Sequence, residues 1–119
     1  TAVYWANLTS TGAIRRVPVG GGSVSSLTGP LNGPAWPALF NGQVYWANNG
    51  AGTIMRVPTG GGPAETLVSG QSFPGWVAPS AAGLFWSNNS ASGSVYRAGV
   101  SGQSPTPIAT ALASPHRVV

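Results

Sequence analysis

Apolar runs of four to six residues alternate along the chain with clusters of Gly, Asn, Ser and Pro. The runs are rich in Val, Ile, Tyr, Trp and Thr, which favour β-strands, and the clusters are typical of turns. Gly or Pro interrupts the chain at short intervals, so a helix of ordinary length is not expected. In the first run, Val3 and Trp5 fall on one face of a strand and Tyr4 and Ala6 on the other. Because both faces are apolar, the pattern predicts sheets that are covered on both sides.

The first run is the start of an internal repeat, which is the strongest signal in the sequence. Val3-Tyr4-Trp5-Ala6-Asn7 returns as Val44-Tyr45-Trp46-Ala47-Asn48 and, in a looser form, as Leu84-Phe85-Trp86-Ser87-Asn88. Each copy continues with a run containing Arg16, Arg56 or Arg97, a Gly-rich turn, a short apolar piece and a Pro-led segment. The repeats span 3-43, 44-83 and 84-119 of a single domain over 1-119.

Each copy predicts four strands. Strand one follows the Pro, at about 35–40, 75–80 and 116–119, strand two is the Tyr-Trp run, strand three contains the Arg, and strand four is the short apolar piece. Gly20-Gly21-Gly22 and Gly60-Gly61-Gly62 lack a following helix and Lys, so they are interpreted as hairpin turns and not as phosphate loops. Four short strands per roughly 40 residues are typical of a β-propeller blade. The predicted fold class is therefore all-β, a β-propeller with three four-stranded blades.

The composition narrows the function. Charged residues make up 5% of the chain, with five Arg, one acid (Glu65), one His (His116), and no Asp, Lys or Cys. This set excludes a carboxylate pair, a Ser-His-Asp triad, a zinc centre and a disulfide framework. We expect no catalytic residues, no metal ligands, no cofactor and no enzymatic activity. The Arg residues are spread along the chain, so nucleic acid is not an expected partner, and no apolar run is long enough to span a membrane.

The repeated pattern of Tyr-Trp-x-Asn, Ile-x-Arg, Gly-Gly and a Pro-led strand resembles the YWTD repeat of the low-density-lipoprotein-receptor type propeller. It is also similar to bacterial secreted six-bladed propellers. The resemblance covers the whole chain, although Asn7, Asn48 and Asn88 stand where the family has Asp. It implies a ring of six blades and a secreted, cell-surface or periplasmic protein.

Three blades form half of such a ring, so a second copy of the chain is expected to complete it as a homodimer. The sequence begins at strand two (Val3) and ends in strand one (residues 115–119). We expect the last strand of each copy to complete the first blade of the other by strand exchange. The alternative is that the chain is half of a longer six-bladed protein.

A ligand site is expected on the face where the loops between strands two and three meet the loops that enter strand one. The candidate ligand-binding residues are Trp36, Trp76, His116, Arg117, Asn48, Asn49, Asn88 and Asn89. Trp and Arg stack on sugars or charged groups, and Asn amides both donate and accept hydrogen bonds, which favours a polar ligand such as carbohydrate. For Trp36 and Trp76, packing between blades remains the alternative.

Three other sets of residues are interpreted as structural. Trp5, Trp46 and Trp86 lie in mid-strand and are expected to pack between blades. Arg16, Arg56 and Arg97 are expected to bond loop carbonyls, because the chain has almost no carboxylates. Glu65 is expected to be a solvated charge at a strand edge. The predicted function is a secreted, lectin-like binding module with carbohydrate or protein as its ligand. The alternatives are a self-assembling half-propeller without a ligand and a part of a propeller lyase or hydrolase.

Overall fold

The computed structural model describes residues 1–119 as three antiparallel β-sheets without a helix. The first sheet contains β1 (Ala2–Ala6), β2 (Ile14–Pro18) and β3 (Ser25–Ser26). The middle sheet contains β4 (Pro34–Phe40), β5 (Gln43–Asn48), β6 (Thr53–Pro58) and β7 (Glu65–Val68). The third sheet contains β8 (Pro74–Ser80), β9 (Gly83–Asn88), β10 (Gly93–Ala98) and β11 (Thr106–Leu112). The predicted all-β class is confirmed, and the runs predicted as strands two, three and four lie side by side in each sheet.

The repeat keeps its register from sheet to sheet. Trp5 lies opposite Arg15, Trp46 opposite Met55 and Trp86 opposite Tyr96 on the neighbouring strand. The Gly-rich segment before β3 is the predicted hairpin turn, with Gly21 at φ 86° and Gly22 at φ 117°. We call the side of each sheet that carries Trp5, Trp46 or Trp86 its Trp face. The opposite side, which carries Tyr4, Tyr45 or Phe85, is its Tyr face.

The core lies between the sheets, where the Tyr face of one packs on the Trp face of the next. One cluster joins Tyr45 and Ala47 of the middle sheet to Leu84 and Trp86 of the third. The other joins Val44 and Trp46 of the middle sheet to Ile14 and to the partly buried Tyr4 and Ala6 of the first. The middle sheet is therefore covered on both faces, as its two-sided apolar pattern predicts. The Trp face of the first sheet and the Tyr face of the third have no neighbouring sheet.

Arginine side chains reinforce these contacts. Arg16 donates from Nη1 to the carbonyl oxygen of Thr59 in the middle sheet's Gly-rich turn, at 2.6 Å. Arg56 reaches from the middle sheet to the Ser101 hydroxyl of the third, at 3.3 Å. The expectation that these residues bond loop carbonyls is confirmed for Arg16, whereas Arg56 bonds a hydroxyl and pairs with Glu65. Arg97, in the equivalent position of the third sheet, is exposed.

Two features differ from the four-strand prediction. The first sheet has three strands, and the outer edge of β1 is unpaired. Residues 116–119, predicted as a strand, form no strand, because no neighbouring strand lies beside them to accept their backbone hydrogen bonds. Both features occur at the uncovered ends of the array. No helix with the length and apolar character needed to cross a bilayer is present.

Candidate functional site

A β-bulge sets the direction of Trp36. The pairing of β4 with β5 shifts between Ala35 and Ala38, and Trp36 lies inside this shift with φ 38°. A positive φ is unusual for a bulky side chain and costs on the order of 1–3 kcal/mol. The bulge turns the indole out of the sheet, so that Trp36 is 55% exposed. A matching shift interrupts the pairing of β8 with β9 around Trp76.

Trp36, Trp76 and Arg117 form a stack that we call the aromatic ladder. The rings of Trp36 and Trp76 are 4.9 Å apart between centroids and inclined by 21°. The Cζ atom of Arg117 lies 5.0 Å from the centroid of the Trp76 ring, which is cation–π distance. The three residues occupy equivalent positions in the three repeats, so the ladder is a row with one residue from each repeat. The structure thus brings together the three residues that the sequence singled out at these positions.

Asn89 and His116 lie beside the ladder. The Asn89 amide nitrogen is 3.2 Å from Nε2 of His116, and an amide donor there requires Nε2 to accept. The His116 carbonyl accepts a 2.8 Å hydrogen bond from the Ser87 hydroxyl, which fixes the segment against β9. This side of the ladder therefore offers an amide and an imidazole that can hydrogen-bond a polar ligand.

The remaining predicted Asn residues serve the fold. Asn48 is 2% exposed; its Oδ1 accepts from Trp46 Nε1 at 2.9 Å and its Nδ2 donates to the Thr53 hydroxyl. Asn88 is buried and donates from Nδ2 to Gln71 Oε1 at 3.0 Å, whereas its own Oδ1 has no partner. Asn49 donates to the carbonyl of Pro74 at 3.3 Å and so links the middle sheet to the third. We therefore leave Asn48 and Asn88 out of the candidate site.

A cleft of about 440 Å³ opens beside the free face of Trp36. It lies between β1 and β4, along the unpaired edge of β1, and we call it the β1 cleft. Its walls are mainly apolar, and they include Tyr4, Trp5, Leu8, Ala35, Trp36 and Pro37. Sequence reasoning did not propose Tyr4, Trp5 or Leu8 as site residues. The signal that could have found them was the two-sided apolar pattern of Val3-Tyr4-Trp5-Ala6, which lies beside the unpaired edge of β1.

The charges lie mostly away from the ladder. Glu65 pairs with Arg56 through a 2.9 Å contact on the outer part of the middle sheet. The pKa of Arg56 is raised, mainly by its hydrogen bond to Tyr45, with Glu65 adding to the effect against desolvation. The chain's one carboxylate side chain is thus held by an arginine, and no carboxylate side chain opposes Arg117 in the ladder.

Comparisons with known proteins show the fold. The chain matches a chain in the crystal structure of a nidogen/laminin complex with a TM-score of 0.84 and 19% identity, over 98% of this chain and 47% of that one. It matches a TolB-like protein from Agrobacterium tumefaciens with a TM-score of 0.73 and 14% identity, over 95% of this chain and 47% of that one. Both are β-propellers, so the three sheets have the β-propeller fold. The chain spans about half the length of each. No family model and no curated protein sequence matches it.

Proposed function

We propose that this chain is a secreted, non-enzymatic β-propeller module that binds carbohydrate on the face carrying the aromatic ladder. In this proposal a second copy completes a six-bladed ring. The observation that carries the binding role is the ladder itself, in which the strained and exposed Trp36 stacks on Trp76 and Arg117 follows. Strained residues persist where the surrounding structure imposes them, and they are frequent at ligand sites.

The chemistry of the ladder suits a sugar. In the completed ring the edges of the ladder indoles remain in solvent and offer apolar contact to the C–H groups of a pyranose ring, and the neighbouring Asn89 and His116 offer hydrogen bonds to hydroxyls. Arg117 adds a bidentate donor for a carboxylate or sulfate. Because no carboxylate side chain opposes Arg117, the site favours neutral or acidic sugars over cationic ones.

The length of the structural neighbours supports the ring. This chain covers 47% of each, so two copies together match the extent of one neighbour. The first neighbour belongs to a complex of nidogen and laminin, which makes a protein ligand the second candidate partner. A non-enzymatic role is supported by the placement of Glu65 on the outermost strand β7, away from His116 beside β9.

A self-assembling half-propeller without a ligand is the second candidate function. It is favoured by the β1 cleft, whose apolar walls adjoin the free face of Trp36. In a completed ring this face packs against the next blade, and only the ring edges of the ladder face solvent. The two candidates make the same ring and differ in whether it binds a glycan.

A glycan array followed by titration of intrinsic Trp fluorescence tests the binding role. The array includes neutral oligosaccharides and oligosaccharides that contain uronic acids or sulfate. We expect Trp36→Ala to raise the Kd about tenfold or more, which corresponds to about 1.4 kcal/mol. Arg117→Gln is expected to weaken the binding of acidic sugars more than the binding of neutral sugars. Val24→Ala, which trims an exposed apolar side chain outside the ladder, is the matched control. Absence of glycan binding in a dimeric sample would support the half-propeller function instead.

A further inference from the structure

The two ends of the array are complementary. At one end β1 pairs with β2 alone, and its outer edge borders the β1 cleft. At the other end residues 115–119 follow β11 without pairing to any strand. In the middle and third sheets the corresponding edge of strand two is covered by β4 and β8. An open edge is a template for another strand, so the edge of β1 can pair with a further strand.

The backbone shows that residues 115–119 begin as β4 and β8 begin. The residue before each proline has a positive φ, 68° at Gly33, 50° at Phe73 and 47° at Ser114. The Gly33 amide donates to the Thr9 carbonyl at 2.9 Å, and the Ser114 amide donates to the equivalent Ser90 carbonyl at 3.1 Å. Pro115 therefore lies at the position in its repeat that Pro34 and Pro74 have in the two earlier repeats.

The packing of Pro34 and Pro115 against glycine also shows that the two prolines are equivalent. A Cβ on Gly12 would lie 2.8 Å from the Pro34 ring, and a Cβ on Gly93 would collide with the ring of Pro115. Two residues further on, Arg117 stacks on Trp76 as Trp76 stacks on Trp36. Residues 115–119 therefore stand where the first strand of a fourth sheet would start, directly after the third sheet.

The arginine contacts point to the same neighbour. Arg16 bonds the turn of the middle sheet and Arg56 bonds the turn of the third. Arg97 has the same place in the repeat, opposite Phe85 on β9, and is exposed. The turn equivalent to Thr59 in the first sheet contains Val19, which is 63% exposed. A sheet like the first, placed after the third, would offer Arg97 that turn.

We propose that the β1 cleft and the uncovered Trp face of one copy receive residues 115–119 and the Tyr face of the third sheet of a second copy. The pairing rests on the ring closure of the proposed function and not on its ligand. By analogy with the β4–β5 and β8–β9 pairs, the strand runs antiparallel to β1. Pro115 lies opposite Asn7, His116 opposite Ala6, and Val119 opposite Tyr4, with a bulge at Arg117.

In this arrangement Arg97 of one copy donates to the backbone of the Val19 turn in the other. The side of Trp36 that now faces the β1 cleft meets Arg117 of the second copy, so the ladder continues across the contact. Repetition of the contact by symmetry closes the ring of two copies. The occupant of the β1 cleft is in this way a strand and not a small ligand.

Disulfide crosslinking tests the proposed strand register directly. Since the chain has no cysteine of its own, only the introduced pair can form a disulfide. In the variant with Ala6→Cys and His116→Cys, the paired residues come within the Cα separation that a disulfide needs. We expect a reducible covalent dimer under mild oxidation. The matched control carries Ala35→Cys and Ala47→Cys, which are paired within one chain and give a disulfide without a covalent dimer. Native mass spectrometry of the unmodified chain is measured alongside.

The outcomes separate the claims. A native dimer whose Ala6→Cys and His116→Cys variant stays uncrosslinked, while the control oxidises, overturns this interface and leaves ring closure standing. A monomeric mass overturns both, and a crosslinked series beyond the dimer overturns the closed ring. As a second measurement, Arg97→Gln should raise the dimer Kd about tenfold by sedimentation, with Arg97→Lys as the control that keeps the charge at the same position. An unchanged Kd in Arg97→Gln contradicts the assigned role of Arg97.

Discussion

The middle sheet and the first sheet carry nearly the same sequence in different surroundings. Trp46 has no exposed surface because the first sheet covers it, whereas Trp5 lies on an uncovered face and is partly exposed. The local hydrogen bond is nevertheless the same. Trp5 donates from Nε1 to Asn7 at 3.0 Å, and Trp46 donates to Asn48 at 2.9 Å. The hairpin therefore forms from its own residues, and burial is supplied by the neighbour.

The third sheet shows how far the local motif can change. Trp86 donates to Gln71 Oε1 instead of to an Asn two residues later, and Asn88 donates to the same oxygen. Gln71 stands where the other copies have Leu31 and Leu112. The acceptor has moved to another strand connection, and the Trp keeps its place in the core. Packing of the Trp in the core is thus kept in the middle and third sheets although its hydrogen-bond partner changes.

Replacement of the central Trp gives the largest expected difference between these sheets. Trp46→Ala should lower the free energy of unfolding by about 3–5 kcal/mol, because it removes a buried ring and leaves a cavity. Trp5→Ala should cost less than half of that in the monomer, since the ring is already partly in water. Urea denaturation followed by circular dichroism measures both. Equal losses at a protein concentration where the chain is monomeric would contradict the uncovered state of the first sheet, whereas in the dimer the second copy covers Trp5 and the two losses should approach each other.

Replacing the Asn of the repeat by Asp tests the same difference between the middle and first sheets through the pH dependence of stability. In Asn48→Asp the new carboxyl is buried, which raises its pKa above the unfolded value of about 3.9. The folded state then binds the extra proton more tightly, so stability is greatest at low pH and falls as pH rises through the raised pKa. A pKa raised by about one unit means that the folded state binds the proton about tenfold more tightly. The free energy of unfolding of Asn48→Asp is then lower at neutral pH than at low pH by about 1.4 kcal/mol.

Asn7→Asp is the matched control, because Asn7 is exposed. Its unfolding free energy should change little between about pH 3 and pH 7 relative to the unmodified chain, since an exposed carboxyl titrates alike in both states. Thermal unfolding at several pH values distinguishes the two variants. If the unfolding free energies of Asn48→Asp and Asn7→Asp changed with pH in the same way, burial at position 48 would not raise the pKa of the new carboxyl.

The arginine contacts give the next effect. Arg56→Met removes hydrogen bonds to Tyr45 and Ser101 together with the ion pair to Glu65. We expect a loss of about 1–2 kcal/mol, since bonds to charged groups are stronger than neutral ones but this group is partly exposed. Arg97→Met should be nearly neutral in the monomer, because Arg97 has no sheet in front of it. A loss as large as that of Arg56→Met would contradict that placement.

Removing the acid alone gives the smallest effect. Glu65→Gln should cost about 0.2–1 kcal/mol, because the Glu65 side chain is 57% exposed and its ion pair is screened by water. The cost should shrink further at about 1 M salt. Denaturation at two ionic strengths measures it, and a loss above that of Arg56→Met would mean that Glu65 has a further role.

The strands of the middle sheet and the cover on both of its faces were predictable, because the repeat shows the same pattern three times, whereas the predicted packing of Trp5 and the predicted strand at 116–119 are not seen. A constant offset of about 40 residues aligns every Tyr-Trp run, and the alternation in Val44-Tyr45-Trp46-Ala47 assigns each side chain to one of two apolar faces. The packing of Trp46 and Trp86 follows from this pattern.

The candidate site was predictable only in part. A bulge shifts the alternation at Trp36, and no residue in the stretch Pro34–Phe40 requires a positive φ. The inward direction of Asn48 depends on the hydrogen bond to Trp46 within the same strand. Sequence placed both residues at the loop face, and their opposite exposures are decided by local backbone geometry.

The contacts between sheets all run in one direction, with a Tyr face meeting the following Trp face. Such an array has a head and a tail, and a contact between unlike ends is heterologous. When two copies join at one end, their remaining ends are tethered, and the second contact forms at an effective concentration in the millimolar range. A weak contact is then enough for a closed pair that survives dilution. The same directional contact, if its rotation failed to close, would instead add copies into a fibre.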